Sequence, residues 1–297
     1  MDEVIKNVLR KLRMRTFECL CIMLSSAGHL VEFLFNLWST ILLGKDRQDE
    51  FYQSLVSRYR QFLSKLFISK HSGFFIPLNK EEVLITFDGF YAVVPINTMG
   101  ITRIVKKEYL QPSKGDVVVD AGAHYGFYTL HASRLVGADG MILSFEPHPK
   151  NYERFLTNLS SNGIRNVIPL NKALGECDKP IRLYISSHSE RHSTSFALNP
   201  STHYSGDYVC VESARLDTVV GELGIKRVDL IKIDVEGAEL SILKGAEKTI
   251  DQFRPSLTIA AYHYPEEVDE ICTLLKRINP SYKVIITQGP ILHAIYS

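Results

Sequence analysis

The sequence predicts an α/β protein with a doubly wound, mainly parallel sheet of seven strands, preceded by an extension of helices and a β-hairpin. Two observations support this prediction. From Asp116 onward, short aliphatic runs alternate with helical stretches, as they do in parallel sheets covered by helices on both faces. The last run, "YKVIITQGPILHAIY", has the pattern of a hairpin that joins one edge of the sheet.

The elements of this main domain follow in order along the chain. We expect its strands at residues 117–120, 141–146, 167–170, 228–234 and 257–263. We expect its helices to begin near Gly126, Pro149, Asp217, Gly237 and Pro265. The runs "PIRLYIS" and "DYVCVES" predict a two-stranded excursion between the third and fourth main strands.

The chain divides into three predicted regions. Residues 1–70 form a helical region, residues 71–115 a β-rich module, and residues 116–297 the ligand-binding domain. Apolar residues recur at helical spacing in "FYQSLVSRYRQFLSKLF", which is typical of a helix packed on a core. In the β-rich module, Asp88-Gly89 between two alternating runs indicates a hairpin turn.

The N-terminal region has the most apolar stretch of the chain, Phe17 to Leu43. Charged residues interrupt it, and the uncharged run after Glu32 covers only 33–44, shorter than the about 20 residues of a spanning helix. We favour a helical subdomain packed against the main domain. A helix of residues 1–44 lying on a membrane or partner, and a true span, are the alternatives.

Composition narrows the class of protein. The 297 residues have a net charge of +1, whereas a dedicated nucleic-acid binder usually has a strongly basic domain, so we expect no nucleic-acid partner. Five scattered cysteines without a C-x-x-C pair favour reduced thiols in a cytoplasmic protein, which the N-terminal helices could bring to a membrane. The same spacing predicts no metal site.

The run "VVVDAGAHYGFYTL" is a strand that leads into a glycine turn. In a doubly wound sheet, ligands bind beyond the carboxyl ends of the strands, where such a turn lies. A dinucleotide fingerprint would need glycine in place of His124 and Phe127, and a P-loop would need a lysine that is absent. A nicotinamide oxidoreductase is therefore a weak alternative.

Carboxylates at two successive strand ends favour S-adenosylmethionine (SAM) as the ligand. Asp120 ends the first strand and Glu146 the second. SAM offers cationic groups and a ribose diol, and an ionised Glu146 could accept both ribose O–H bonds. Gly122 would let the ligand approach the backbone closely. Taken singly, Gly122 could be a tight turn and Glu146 a helix-capping acid.

A second group of acids occurs in "VDLIKIDVEGAELSILKGA". Asp234 ends the fourth main strand, so we expect it and Glu236 to face the same crevice as the glycine turn. Glu239 lies in the first turn of the next helix, where the helix dipole favours an acid, so we favour a capping role for it.

These runs, together with "SFEPHPKNYERFLTNLSSNG" and "VIPLNKALGE", resemble the FkbM-type family of SAM-dependent methyltransferases over residues 117–263. The resemblance implies a class I methyltransferase, Rossmann-like fold. It also implies O-methylation of a hydroxyl on a sugar, glycolipid or other small polyhydroxylated metabolite. The alternative is a SAM-binding sensor or assembly protein without catalysis.

The resemblance assigns cofactor contacts at four strand ends. They are Asp120, Gly122, Ala123, His124 and Gly126 in the SAM loop, Glu146 and Pro147 at the ribose, Asn171, Lys172 and Ala173 beside the adenine, and Asp234 beside the methionine moiety and acceptor. Two positions depart from the family pattern. His124 stands where Asn is common, and Ala261 stands where many members have an acid.

Catalysis requires an acceptor oxygen in line with the methyl group and gains from a base that takes its proton. Asp234 and His263 are the candidate catalytic residues. Glu236, His188 and His192 are candidate acceptor contacts, although a solvated loop is the default interpretation for the two histidines in "SSHSERHSTSF". Their spacing does not match the H-E-x-x-H zinc motif.

Overall fold

The computed structural model describes residues 74–77, 82–87, 90–95, 109–186, 194–195, 204–287 and 291–297. The chain divides into two compact units, residues 1–99 and 100–297. The helical region predicted for residues 1–70, with its membrane contact, lies outside the described residues. None of the helices in the described ranges is long and apolar enough to cross a membrane.

The described part of the first unit is an antiparallel sheet. Its strands β1 (Phe74–Pro77), β2 (Glu82–Phe87) and β3 (Phe90–Pro95) are arranged in chain order. Phe87 pairs with Phe90 in the antiparallel pair β2–β3, as expected for the predicted hairpin, while the turn predicted at Asp88-Gly89 lies outside the described residues. Alternate side chains of β3 are buried, as expected for a strand with one face on a core.

The second unit contains the remaining elements. In chain order they are β4 (Val117–Ala121), α1 (Phe127–Val136), β5 (Met141–Phe145), α2 (Pro149–Ser161), β6 (Val167–Leu170), β7 (Ala173–Leu174), β8 (Pro180–Ser186), β9 (Thr194–Ser195), β10 (Tyr204–Ala214), α3 (Leu216–Glu222), β11 (Leu230–Ile233), α4 (Glu239–Gly245), α5 (Glu247–Phe253), β12 (Ser256–Ala260), α6 (Glu267–Ile278), β13 (Tyr282–Ile286) and β14 (Ile291–Tyr296).

Seven of these strands form the central sheet, in the order β13-β14-β12-β11-β4-β5-β6. β14 is antiparallel to both of its neighbours, whereas β12, β11, β4, β5 and β6 pair in parallel. The predicted mainly parallel, seven-stranded sheet with a terminal hairpin is thus confirmed. From β4 the chain winds first toward β6 and then from β11 toward the other edge, so the strand order reverses between β4 and β11.

Aliphatic residues on both faces explain why these strands are central. Val118 and Ile142 pack on one face with α1, while Val119 and Leu143 pack on the other with α3 to α6. Strands that are covered on both faces have near-continuous apolar sequences, as "VVVDA" and "MILSF" do. Packing on both faces therefore fixes the position of the sheet, while loops cover its carboxyl edge.

The predicted excursion forms a separate sheet in the order β7-β10-β8-β9. β8 covers the predicted run, and β10 pairs with it antiparallel, as expected. The short strands β7 and β9, which the sequence did not predict, add one strand at each side of this pair.

Three main strands end before the site residues that were predicted at their ends. β5 ends at Phe145, β11 at Ile233 and β12 at Ala260, so Glu146, Asp234 and His263 lie in the loops that follow. The helix expected near Gly237 begins at Glu239, because Glu236 and Gly237 have positive φ angles of 61° and 104°. A right-handed helix cannot include such residues.

Candidate cofactor and acceptor site

The carboxyl ends of β4, β5, β6, β11 and β12 meet at one edge of the central sheet. These strand ends and the segments that follow them contain the cofactor and catalytic residues predicted from the sequence. This edge includes the reversal of strand order between β4 and β11, which is where doubly wound sheets bind ligands.

Asp120 and Lys232 form a buried ion pair across β4 and β11. They are directly paired in the sheet register, and Lys232 Nζ lies 2.9 Å from Asp120 Oδ1. Thr129 Oγ1 donates to Asp120 Oδ2 at 2.6 Å. Because Asp120 is fully buried, its carboxylate is directed into the protein, and this burial does not favour the direct contact with SAM predicted for it.

Lys232 also fixes the start of the glycine turn. Its Nζ donates to the carbonyl oxygens of Gly122, at 2.8 Å, and Ala121, at 3.2 Å. Because Asp120 holds Lys232 by an ion pair, it positions the turn through the lysine. Asp120 is therefore a positioning residue in this geometry.

The turn itself depends on left-handed backbone conformations. Gly122, His124 and Gly126 have φ angles of 83°, 53° and 89°. The amides of Gly122 and Ala123 both donate to the carbonyl oxygen of Phe145, at 3.0 and 2.9 Å, which ties the turn to the end of β5. The predicted loop residues therefore lie together beside Glu146.

Gly122 also permits two loops to touch. A Cβ at this position would overlap the carbonyl oxygen of Asp234. The loop after β4 and the loop after β11 can therefore pack this closely only if residue 122 is glycine. The glycine is needed for a contact within the protein, whereas the sequence alone suggested an approach to the ligand.

Glu146 receives hydrogen bonds from the turn and from its own loop. The backbone amides of His124 and His148 donate to its carboxylate at 2.8 and 3.0 Å, and Asn151 Nδ2 donates at 3.3 Å. Only 4% of the residue is exposed. The carboxylate is thus fixed in direction, and its acceptor sites are sheltered from water.

The environment of Glu146 shifts its protonation. Burial raises the pKa of the carboxyl from its ordinary value to about 7, although the amides of His148 and His124 oppose this by stabilising the anion. The group therefore titrates close to neutral pH. A ligand that donates hydrogen bonds to the carboxylate would favour its ionised form.

The segment after β6 is joined to the loop after β5. Asn171 Nδ2 donates to the carbonyl oxygens of Glu146 and Pro147, at 2.8 and 3.0 Å. Lys172 follows in the chain, and Ala173, which is buried, begins β7. The segment that the family resemblance assigned to the adenine therefore lies next to Glu146 and Pro147, which the resemblance assigned to the ribose.

Two tyrosines hold Asp234. The hydroxyl of Tyr109 donates to Oδ2 at 2.7 Å, and the hydroxyl of Tyr262 donates to Oδ1 at 3.1 Å. Burial and the nearby Asp234 raise the pKa of both phenols well above the usual range, so both remain protonated donors. Tyr109 is buried, whereas Tyr262 is 42% exposed, so one side of this group faces solvent.

His263 lies behind this group, among three glutamates. Its Nδ1 is 3.4 Å from Glu239 Oε1 and 3.4 Å from Glu267 Oε2, and its Nε2 is 3.8 Å from Glu236 Oε2. The His263 side chain is only 7% exposed, and Glu239 and Glu267 are fully buried. The imidazole is therefore enclosed by carboxylates.

The glutamates determine the protonation of His263. Burial alone would lower the pKa of the imidazole, but Glu267, Glu239 and Glu236 together raise it to about 9. Burial raises the pKa of Glu239, whereas hydrogen bonds from His263 overcome burial and lower that of Glu267. An imidazole that is already protonated cannot take a proton, so this geometry does not favour His263 as a general base at neutral pH.

Four further predicted residues have different outcomes. Glu239 does not cap its helix, because its carboxylate accepts from the amide of Val235, in the preceding loop, at 3.0 Å. Glu236 is half exposed and faces His263. His188 and His192 lie outside the described residues.

The sequence alone missed four residues of this edge: Lys232, Tyr109, Tyr262 and Glu267. The sequence could have indicated the role of Lys232, because a lysine within the aliphatic run "LIKI" needs a buried partner for its charge. Tyr109 is 125 positions from Asp234 in the chain, and no local pattern connects the two.

The buried ion pair makes a prediction about stability. Lys232→Met should lower the free energy of unfolding by about 3–5 kcal/mol, because it leaves the charge of Asp120 buried without a counter-ion. Urea denaturation at pH 7 measures the loss. Lys244→Met is the matched control, since Lys244 pairs with Glu176 at the surface, and it should cost less than about 1 kcal/mol. Equal losses in the two variants would contradict the account.

The chain is similar to known methyltransferases. It is 31% identical over 149 residues to Methyltransferase 1 of Beauveria bassiana, a match that covers 44% of this chain and 58% of that protein. It is 26% identical over 178 residues to hexuronic acid methyltransferase AglP of Haloferax volcanii, covering 59% of this chain and 67% of that protein. The chain thus spans less than two thirds of the Beauveria protein.

The fold can be compared with a crystal structure of a methyltransferase FkbM from Methylobacillus flagellatus. The TM-score is 0.47 at 20% identity, over 68% of this chain and 48% of that chain. Residues 120–282, more than half of the 297 residues, match the Methyltransferase FkbM domain. The chain therefore belongs to the FkbM methyltransferase family, and its central sheet is the Rossmann-like sheet of class I methyltransferases.

Proposed function

We propose that the protein is a SAM-dependent O-methyltransferase that acts on a hydroxyl of a sugar, glycolipid or other small polyhydroxylated metabolite. One observation above all supports this proposal. The carboxylate of Glu146 is fixed by two backbone amides, one of them from the glycine turn, at the carboxyl edge of the sheet. A fixed, sheltered carboxylate in this position is suited to accept hydrogen bonds from a ribose diol.

The donor set of the site fits SAM. Glu146 would accept from the ribose hydroxyls, and Asn171 and Lys172 lie beside it on the side assigned to the adenine. Asp234 lies on the other side of the turn, where it provides a carboxylate for a hydroxyl-bearing acceptor. When bound, SAM supplies a methyl group that its sulfonium activates for attack by an oxygen nucleophile.

On the acceptor side, Asp234 is the best-placed residue. Its carboxylate is held by the phenols of Tyr109 and Tyr262, and the exposure of Tyr262 leaves an approach from solvent. Asp234 would orient the acceptor hydroxyl and take its proton, and the two phenols would stabilise the carboxylate in that orientation. Holding the reacting atoms in line is the larger contribution, because the sulfonium is already a good leaving group.

The proposed class of methyl acceptor is supported by the chemistry of the site and by one relative. The relative from Haloferax volcanii is a hexuronic acid methyltransferase, which supports a sugar acceptor for this chain. His263 has a supporting part in this proposal, since its ring is enclosed by Glu239 and Glu267 rather than open to an acceptor.

Cofactor binding should depend on Glu146 and on pH. Glu146→Gln should weaken binding of S-adenosylhomocysteine about 10–100-fold, because hydrogen bonds to a charged acceptor contribute about 1.5–3 kcal/mol. Since the pKa of Glu146 is about 7, lowering the pH from 8 to 6 should protonate the carboxyl and weaken binding by the native protein. Calorimetric titration at each pH measures both effects.

Two controls accompany this titration. Glu153→Gln, the same change at an exposed position of α2, should leave the affinity and its pH dependence unchanged. Glu146→Gln should have little pH dependence left between pH 6 and 8. A native affinity that does not change over this range would count against an ionised Glu146 as the acceptor.

Methyl transfer should depend on Asp234. Asp234→Asn should lower turnover about 10²–10⁴-fold through the loss of a proton acceptor, with little change in S-adenosylhomocysteine affinity. Transfer of a labelled methyl group from SAM to uronic-acid and neutral oligosaccharides and to lipid extracts measures turnover. Asp139→Asn, an exposed acid after α1, is the control.

The outcomes separate the candidate functions. Native turnover in Asp234→Asn would exclude Asp234 as the proton acceptor. Tight binding of SAM without transfer to any acceptor would favour the alternative of a non-catalytic SAM-binding protein. That alternative takes some support from Ala261, which is buried and cannot replace the acid that many family members have there.

A further inference from the structure

Glu239, His263 and Glu267 form a compact group of metal-ligand side chains, which we call the Glu-His-Glu cluster. They belong to three elements, since Glu239 begins α4, Glu267 begins α6 and His263 follows β12. One potential ligand atom from each residue lies within 4.8 Å of the other two. No short sequence motif contains them, because they are spread over residues 239–267.

The distances fit a tetrahedral metal ion. His263 Nδ1 is 3.4 Å from Glu239 Oε1 and 3.4 Å from Glu267 Oε2. Two ligand atoms bound to one Zn²⁺ at about 2.0–2.1 Å with tetrahedral angles are about 3.3–3.4 Å apart. An imidazole with two carboxylates suits zinc better than Mg²⁺ or Ca²⁺, which prefer oxygen ligands alone.

The charge of the cluster also favours a dication. Glu239 and Glu267 are both fully buried, and within the described part of the chain their only cationic partner is His263. Without a metal ion, one of the two carboxyls must keep a proton, because two ionised carboxylates beside a single positive charge would leave a costly negative charge in the interior. A dication bound by two carboxylates and a neutral imidazole leaves no net charge.

Each carboxylate has an oxygen to spare. Glu239 Oε1 accepts from the amide of Val235, and Glu267 Oε2 accepts from the amide of His263, so backbone donors hold both groups in place. The other oxygens, Glu239 Oε2 and Glu267 Oε1, are buried and have no hydrogen-bond donor among the described residues. Either one could complete the coordination by bidentate binding.

The opposite side of the imidazole has the partner that zinc sites commonly use. A metal-bound histidine usually directs its other ring N–H toward a carboxylate, which fixes the ring and its tautomer. Glu236 Oε2 lies 3.8 Å from His263 Nε2 and is half exposed. Glu236 is therefore placed to orient the ring without being a ligand.

We propose that the Glu-His-Glu cluster binds one Zn²⁺ ion per chain. The ion would connect the start of α4 to the loop after β12 and the start of α6, and so brace Asp234 and Tyr262, which precede Val235 and His263 in the chain. This inference concerns the binding of a metal ion and does not depend on methyl transfer.

The test uses the full chain, treated with a chelator, and Zn²⁺ alone as the probe at one fixed pH, because metal ions and protons compete for these donors. Calorimetric titration should give one tight site per native chain. Glu239→Gln and Glu267→Gln keep an oxygen for the amides of Val235 and His263 and so should fold. Each should weaken Zn²⁺ binding by more than about 100-fold, beyond the loss typical of outer partners.

Matched variants show where the ion binds. His263→Ala should abolish the site, whereas His131→Ala, on α1, should bind Zn²⁺ like the native chain. Glu236→Gln should have an intermediate effect of about 10-fold. Circular dichroism establishes that each variant is folded. The visible absorption of Co²⁺ bound to the native chain reports tetrahedral coordination without the need for a variant.

Two results would overturn the proposal. One is a folded native chain that takes up neither Zn²⁺ nor Co²⁺. The other is a Glu239→Gln or His263→Ala chain that binds Zn²⁺ as tightly as the native protein, which would assign the metal to other histidines or cysteines. In either case the cluster would be a set of carboxylates that share protons with His263.

Discussion

The ion pair between Asp120 and Lys232 is the interaction on which the candidate site depends. It lies between β4 and β11, where the order of the strands reverses, and the same ammonium group binds the carbonyl oxygen of Gly122. With the turn fixed there, the amide of His124 reaches Glu146. The absence of a side chain at Gly122 lets the Asp234 loop pack against the turn. One buried cation thus helps to set the positions of both loops of the candidate site.

The acids at this edge of the sheet contact different groups. These contacts indicate a different role for each acid. Asp120 pairs with a lysine and is buried, so it supports the turn. Glu146 is held by backbone amides, which leave it able to accept from a ligand. Asp234 is held by two phenols at the side open to solvent. Glu239 and Glu267 face an imidazole in the interior, where the chemistry suits a metal ion better than a substrate.

Much of this arrangement could be predicted from the sequence, because periodicity and strand-end acids are local signals. The alternation of elements gave the seven-stranded sheet, and "VVVDAGAHYG" indicated the turn with Gly122 and its neighbours. What could not be predicted depends on contacts between distant segments. Tyr109 and Tyr262 are far apart in the chain, yet both contact Asp234. Glu267 approaches Glu239 through the packing of two helices. The direction of Asp120, toward Lys232 rather than a ligand, follows from the register of β4 and β11.

Hydrogen exchange with and without saturating S-adenosylhomocysteine tests the central claim, that the loops after β4, β5 and β6 bind the cofactor. If they do, the amides of residues 120–128, 146–151 and 171–173 should exchange more slowly in its presence, while the excursion sheet changes little. Slower exchange confined to other parts of the chain, or no change at a concentration that saturates binding, would contradict it.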